Sequence, residues 1–189
     1  MRNSDVVCAV LYLELYVGCT KKFHITRKRY NAAKELVDDT KAFVVNVKPG
    51  WKKGTKVTFV NEGEEGPNII PADLVFVIQE KKNGEDTPPG YEREGSNLIY
   101  TYKLSLMDAL TDCSLQIPTL DGRTLSIACP EVVSPFYEKL IPSEGMPSVK
   151  TPGAKGDMIV RFHILFPKYL NGEKRLKIRE LLANEELQT

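Results

Sequence analysis

Few side chains in this sequence are placed to do covalent or metal chemistry. The natural candidates for a thiol nucleophile, a soft-metal ligand or a base near neutrality are four cysteines and two histidines: Cys8, Cys19, Cys113, Cys129, His24 and His163. No two cysteines form a C-x-x-C pair, the spacing used by zinc ribbons and thioredoxin-like redox sites. His24 and His163 lie in β-like segments far apart in sequence and suggest neither a metal site nor a catalytic base. A hydrolase or thiol enzyme needs a nucleophile and a base brought together, and no recognisable motif supplies them. The expectation is therefore no enzyme activity, no metal and no cofactor. The even cysteine count could mean two disulfides. However, the N-terminus from Met1 to Asp5 is short and polar, without a signal-peptide pattern, so reduced thiols in the cytosol are expected.

One constellation has the chemistry of a binding surface. Lys21, Phe23 and Ile25 share one face of an alternating strand, with Lys22, His24 and Thr26 on the other. On pattern alone, Phe23, Ile25 and the later Phe76 read as sandwich core. The two lysines, likewise, read as solvated edge charges that discourage aggregation.

The whole chain limits what such a face can serve. Its 189 residues allow one large domain or two small ones. Hydrophobic residues at 42% and charged residues at 27% are an ordinary globular balance. A net charge of +1 argues against a general nucleic-acid binder, which needs a basic excess to displace counterions from phosphates. No apolar run approaches the ~20 residues that cross a bilayer, so no membrane span is expected.

Alternation and turn chemistry predict a mostly β chain. Strands are expected near Val6–Val10, Lys21–Thr26, Phe43–Val47, Lys56–Val60, Leu74–Gln79, Leu98–Leu104 and Met158–Phe166. Ser114–Thr119 and Arg123–Ala128 flank Asp121-Gly122, a two-residue hairpin signal. Helical pattern is confined to short turns after the opening strands and to Gly172–Leu187. There Leu176, Ile178, Leu181 and Leu182 can form an apolar stripe behind an Asn171 cap. Lys81–Ser96 is charged and rich in Pro and Gly, a natural boundary.

The two sides of that boundary resemble each other. Val10–Cys19 aligns with Leu104–Cys113 at a constant offset, pairing Glu14 with Asp108 and Cys19 with Cys113. Asn61-Glu62-Gly63 echoes Ser143-Glu144-Gly145, and Asp73-Leu74-Val75 echoes Asp157-Met158-Ile159. The equivalence of Cys19 and Cys113 points to packing rather than nucleophilic chemistry. The fold expected is two tandem small β-sandwich-like domains followed by a short C-terminal helix. The divisions are 1–82 for the first domain, 83–96 for a linker, 97–168 for the second and 169–189 for the helix.

Several strings then match a known family in order. Gly50-Trp51-Lys52-Lys53-Gly54-Thr55, Glu62-Gly63 and Ile70-Pro71-Ala72-Asp73-Leu74-Val75-Phe76 resemble the first C-terminal domain of J-domain co-chaperones. Arg93-Glu94-Gly95-Ser96-Asn97, Pro118-Thr119-Leu120-Asp121-Gly122-Arg123, Gly145-Met146-Pro147 and Gly156-Asp157-Met158 are similar to the second. The C-x-x-C-x-G-x-G repeats of zinc-bearing members are absent, so the resemblance is to type B. Neither a J-domain nor a Gly/Phe-rich linker is found in this sequence. Stimulation of a partner's ATPase is therefore not expected of these residues.

The resemblance implies a co-chaperone module that binds unfolded client polypeptides by adding them as a strand beside a shallow hydrophobic groove in the first domain. Carried over by position, the peptide-binding set is Val6, Cys8, Lys21, Lys22, Phe23, His24, Ile25 and Phe76. It also implies binding of the acidic C-terminal tail of the partner heat-shock ATPase, ending Glu-Glu-Val-Asp, with Lys21 and Lys22 meeting carboxylates. The C-terminal stripe Leu176, Ile178, Leu181 and Leu182 would serve a homodimer, and the expected location is cytoplasmic. The alternative is a β-sandwich scaffold or adhesion module that binds one folded partner.

Overall fold

The computed structural model describes residues 4–66, 70–81 and 89–183. Strand β1 (Ser4–Leu11) runs into the short helix α1 (Tyr12–Val17). The first backbone N–H of that turn is satisfied when Leu11 donates to Glu14 Oε2 at 2.9 Å, and the helix stops at Gly18, whose φ of 84° suits glycine. A long hairpin follows, β2 (Cys19–Tyr30) and β3 (Leu36–Val47), then β4 (Lys56–Phe59) and β5 (Leu74–Lys81). Strands β1 and β5 pair in parallel and β4 joins the far side of β5, so the order is β1-β5-β4. The hairpin forms a separate two-stranded sheet that packs over it. Between the layers lie Phe23, Phe43, Phe59 and Phe76, with Phe23 and Phe76 centroids 4.9 Å apart and Phe59 and Phe76 5.6 Å apart. Rings at such spacings contribute about 0.5–1.5 kcal/mol per pair beyond their area.

The plan is then repeated. β6 (Tyr91–Glu94) and β7 (Asn97–Ser105) lead into α2 (Leu106–Leu110), capped by Ser105 Oγ, which accepts from the Asp108 N–H at 3.1 Å. β8 (Cys113–Pro118) and β9 (Thr124–Cys129) form the second hairpin, followed by β10 (Glu138–Ile141) and β11 (Met158–Leu165). β7 and β11 pair in parallel, giving the order β10-β11-β7-β6. The internal repeat extends to single bonds. Asn61 N–H donates to Asp73 Oδ1 at 2.9 Å and Ser143 N–H to Asp157 Oδ1 at 3.0 Å, and both residues have a positive φ. Next to them, Gly63 N–H meets Ala72 O at 2.7 Å and Gly145 N–H meets Gly156 O at 2.8 Å. A Cβ on Gly63 would sit 2.7 Å from that carbonyl, which is why glycine stands there.

The repeats are joined by buried polar contacts. Gly50 packs so closely on the second repeat that a Cβ there would sit 2.1 Å from Pro147 O. Arg93 donates to Trp51 O at 2.7 Å, Gly50 O at 3.0 Å and Glu80 Oε1 at 2.9 Å, with its side chain 2% exposed. Tyr16 donates to Asp121 Oδ2 at 3.2 Å and accepts from Lys155 at 2.6 Å.

The mostly β class and the tandem plan agree with the expectation, and the details differ in three places. First, the β2–β3 hairpin is about twice the length that alternation marked. Its outer half is charged, yet Arg27 and Lys28 stand opposite Asp39 and Asp38, and Arg27 also pairs with Glu62. Second, the Asp121-Gly122 connection is wider than a two-residue turn. Thr119 N–H bonds to Arg123 O at 2.8 Å, and the Asp121 carboxylate accepts from Thr119 and Arg123 inside the loop. Third, Tyr91–Glu94 of the segment expected as linker forms β6, and β10 is a strand that the sequence pattern did not mark. Helix α3 (Gly172–Leu182) lies where the sequence pattern placed it, as far as the described residues run. Asn171 caps it by accepting from Lys174 N–H at 2.9 Å, and positions beyond 183 lie outside the described residues.

Candidate functional site

The alternating face of β2 is laid out as its sequence spacing requires. Lys21, Phe23 and Ile25 turn towards the β1-β5-β4 sheet and are partly buried, while Lys22, His24 and Thr26 face outwards. Val6, also partly buried, comes up from β1 beside Phe23 and Ile25 in the same core margin. Cys8 and Phe76 are fully buried and belong to the floor beneath. The structure thus gathers Val6, Phe23 and Ile25 over Phe76 and Cys8, with Lys21 at one end, and leaves Lys22 and His24 on the far face. Lys21 is ion-paired with Glu14 of α1. In this sheet β1 is an edge strand, and among the described residues no strand pairs with its outer side.

Burial raises the Cys8 and Cys19 thiols above their ordinary range, and the neighbouring Glu14 adds to it in both cases. Cys113, opposite Cys129 in the second hairpin, is also raised, chiefly by burial. All four cysteines are free. Among the described residues no three His, Cys, Asp or Glu side chains cluster as a metal site would require.

The equivalent place in the second repeat is filled. β7 corresponds to β1, and β6 lies antiparallel along its outer edge, with Tyr91 opposite Tyr100. Tyr91 is 5% exposed, stacks at 4.7 Å on Tyr100 and donates its hydroxyl to Pro118 O on β8 at 2.5 Å. That burial pushes the Tyr91 phenol well above its ordinary value. Sequence pattern alone missed this strand because it sits inside a charged stretch rich in Pro and Gly. The signal that could have found it was Tyr91, a large aromatic residue just before the second repeat.

At the other end of the chain, α3 has no buried residue. Ile178, Leu181 and Leu182 face an open apolar groove of about 830 Å³, whose opposite wall includes Met107, Leu110, Leu165 and Phe166. These side chains remain substantially exposed, Leu181 at 74%. Leu176 is exposed as well and does not line that groove. No helix among the described residues is long and apolar enough to cross a membrane.

Comparison with known proteins agrees with this architecture. The family model described as the DnaJ C terminal domain matches residues 6–167. Human "DnaJ homolog subfamily B member 13" is 41% identical over 177 residues, covering 91% of this chain and 54% of that protein. Human "DnaJ homolog subfamily B member 5" is 39% identical, covering 89% of this chain and 47% of its own length. "Protein SIS1" of Saccharomyces cerevisiae is 38% identical, with 88% and 45% covered. The chain therefore spans about half the length of the curated relatives it matches. On this match, and on a doubled β fold to which the same residues contribute strand for strand, the chain belongs to the DnaJ C-terminal domain family of heat-shock co-chaperones, alongside its subfamily B members.

Proposed function

We propose that this chain is the client-holding module of a J-domain co-chaperone, binding extended, unfolded segments at the first repeat by strand addition. The observation that carries this reading is the juxtaposition of an unpaired sheet edge, β1, with the half-buried apolar margin of Val6, Phe23 and Ile25. Unfolded chains share backbone hydrogen-bonding groups and scattered large apolar side chains, and this arrangement addresses both. One buried apolar side chain contributes about 1.5–3 kcal/mol. Ordering a flexible peptide offsets much of that, so affinities of roughly micromolar or weaker are expected, as suits a protein that passes its client on. The raised Cys8, Cys19 and Cys113 thiols are suited to packing rather than to nucleophilic chemistry.

The acidic tail of the partner heat-shock ATPase is a second ligand for the same margin. Its valine would enter beside Phe23, and a carboxylate would replace Glu14 on Lys21. Lys22 faces away and would act only through its longer-range field. Such rim pairing weakens with salt. Titration of a labelled Gly-Pro-Thr-Ile-Glu-Glu-Val-Asp peptide into the unaltered protein and into Phe23→Ala should give weak, saturable, salt-sensitive binding that the substitution abolishes. Binding unchanged in Phe23→Ala would remove the groove from the proposal.

The exposed apolar groove at α3 supports a homodimer held through the C-terminal helix, with Ile178, Leu181 and Leu182 at the contact. Leu176 would join only if the partner wraps the outer face. Paired chains would hold two client grooves at once, which strengthens capture when geometry permits. A cytoplasmic site of action fits the unpaired cysteines. Sedimentation of Leu181→Glu as a monomer, with the unaltered chain as a dimer, is the outcome expected.

A further inference from the structure

We infer that Cys113 and Cys129 are an oxidation site, a facing thiol pair at the base of the second hairpin that a small-molecule disulfide of the glutathione class converts to a cross-strand disulfide. The two residues stand directly opposite each other in the β8–β9 ladder. Opposed residues of an antiparallel pair point to one face, and here it is the inner one. Cys129 belongs to the core, and Cys113 is partly buried against it. The same register, carried to the hairpin loop, has Thr119 N–H donating to Arg123 O at 2.8 Å. Bonded and non-bonded pairs alternate along such a ladder. Cys113 and Cys129, an even number of steps away, are thus again a bonded pair, with Cα atoms about 5.5 Å apart. That is close to the commonest separation, about 5.5–6 Å, across a disulfide. The two thiols already meet, Cys129 being a hydrogen-bond partner of Cys113.

The first repeat supplies the contrast. Cys19 occupies the place of Cys113, yet its ladder partner is Val47. Cys8 lies on β1, in the other sheet. Among the described residues, therefore, only the second hairpin has a thiol on both strands. Its placement gives the bond a consequence. Thr111 and Asp112 alone separate Cys113 from α2. Beyond Cys129 the chain returns to that helix, where Val133 N–H donates to Ala109 O at 2.8 Å. A bond between the cysteines closes this circuit and steadies the helix that carries Met107 and Leu110 into the wall of the apolar groove. The chemistry balances in two exchanges. The Cys113 thiolate, the more exposed of the two, attacks one sulfur of glutathione disulfide. A mixed disulfide forms, and the glutathione thiolate released takes up the proton that Cys113 lost. Cys129, deprotonated in turn, attacks Cys113 Sγ and expels the second glutathione. Two protein thiols give up two electrons, and one disulfide is reduced to two thiols. Burial, and then Cys129 itself, raises the Cys113 thiol, so the exchange is slow and structural rather than catalytic.

The test uses the whole chain, first reduced, then held in excess glutathione disulfide, quenched in acid, treated with N-ethylmaleimide and digested without reductant. Mass mapping should show the Cys113 and Cys129 peptides joined, with dithiothreitol separating them again. Amide hydrogen exchange at Val133 should slow about fivefold or more on oxidation. Cys129→Val copies the Cys19–Val47 pair of the first repeat. It should fold, form no linkage and keep glutathione on Cys113. The mapping on the unaltered chain decides even if that variant does not fold. A Cys8–Cys19 linkage in place of the expected one, or glutathione alone on Cys113 of the unaltered chain, overturns the pair. Recovery of every cysteine as its maleimide adduct does the same. A joined pair that leaves Val133 exchange unchanged overturns its reach into α2.

Discussion

Two copies of one fold stand side by side in this chain, and they part company at the edge of the sheet. In the first, β1 has no strand on its outer flank among the described residues and lies beside a half-buried apolar margin. In the second, β7 is flanked by β6, and Tyr91 closes the gap to β8. The hairpins differ as well, twelve residues per strand in the first copy against six in the second. Duplication alone therefore does not yield two equivalent sheet edges. A four-residue strand covers one edge, and the other has no partner strand among the described residues; an open edge is a hazard that folded proteins normally cover.

The contrast can be broken most forcefully at the aromatic floor. Phe76→Ala should cost about 3–5 kcal/mol, since it empties a fully buried position touched by Phe23, Phe43 and Phe59. Denaturant unfolding followed through Trp51 should then show the first repeat melting at a lower denaturant concentration than in the unaltered chain; an unshifted transition would contradict this. Next comes the junction. Arg93→Ala removes three bonds to the first repeat and leaves Glu80 with the long bond from the Lys53 N–H, for roughly 3 kcal/mol. A calorimetric trace that splits into two transitions would register the loss of coupling between the copies.

A smaller effect sharpens the comparison at β6. Tyr91→Phe keeps the ring and loses only the bond to Pro118 O, about 0.5–1.5 kcal/mol. The melting temperature should fall slightly, with peptide binding at the first repeat unchanged. The smallest difference lies in acid. Lys41 and then Arg27 hold the Glu62 carboxyl below its usual range, whereas Arg123 and then Thr119 hold Asp121 well below. Carboxyls depressed in the folded state stabilise it above their unfolded values and lose that contribution as pH falls through the depressed ones. The first repeat's loop should thus loosen at a higher pH than the second's. Side-chain carboxyl NMR titration would show Glu62 protonating before Asp121, and the reverse order would refute the comparison.

Much of this was legible before any coordinates. The repeat could be read because Asn61-Glu62-Gly63 and Ser143-Glu144-Gly145 encode a backbone turn that tolerates few substitutes. The alternating face of β2 was visible because Lys21, Phe23 and Ile25 differ sharply from their neighbours. Less legible were features set by partners rather than by local pattern. The outer half of the first hairpin is charged on both strands, and only its pairing with Asp38, Asp39 and Glu62 makes it a ladder. β6 gives no alternation to detect, because its inward Arg93 is buried by contacts with distant Trp51, Gly50 and Glu80. Of the candidate residues, the outward turn of His24 and the core position of Phe76 follow from alternation and pattern, whereas the full burial of Cys8 follows from layer packing, which sequence spacing does not specify.

The buried fan of bonds from Arg93 also bears on polymer statistics. By locking the first repeat to the second, it removes the slack that a flexible joint would provide. In a dimer paired through α3, the span between the two open edges would then be set by the body of the protein. An unfolded chain reaches at most about 3.3–3.6 Å per residue, so a client must be slack over a minimum contour before it can engage both edges. Segments below that length would be held at one end only and escape quickly. The stiffness of a single arginine contact would thus favour long stretches of lost structure over a frayed terminus.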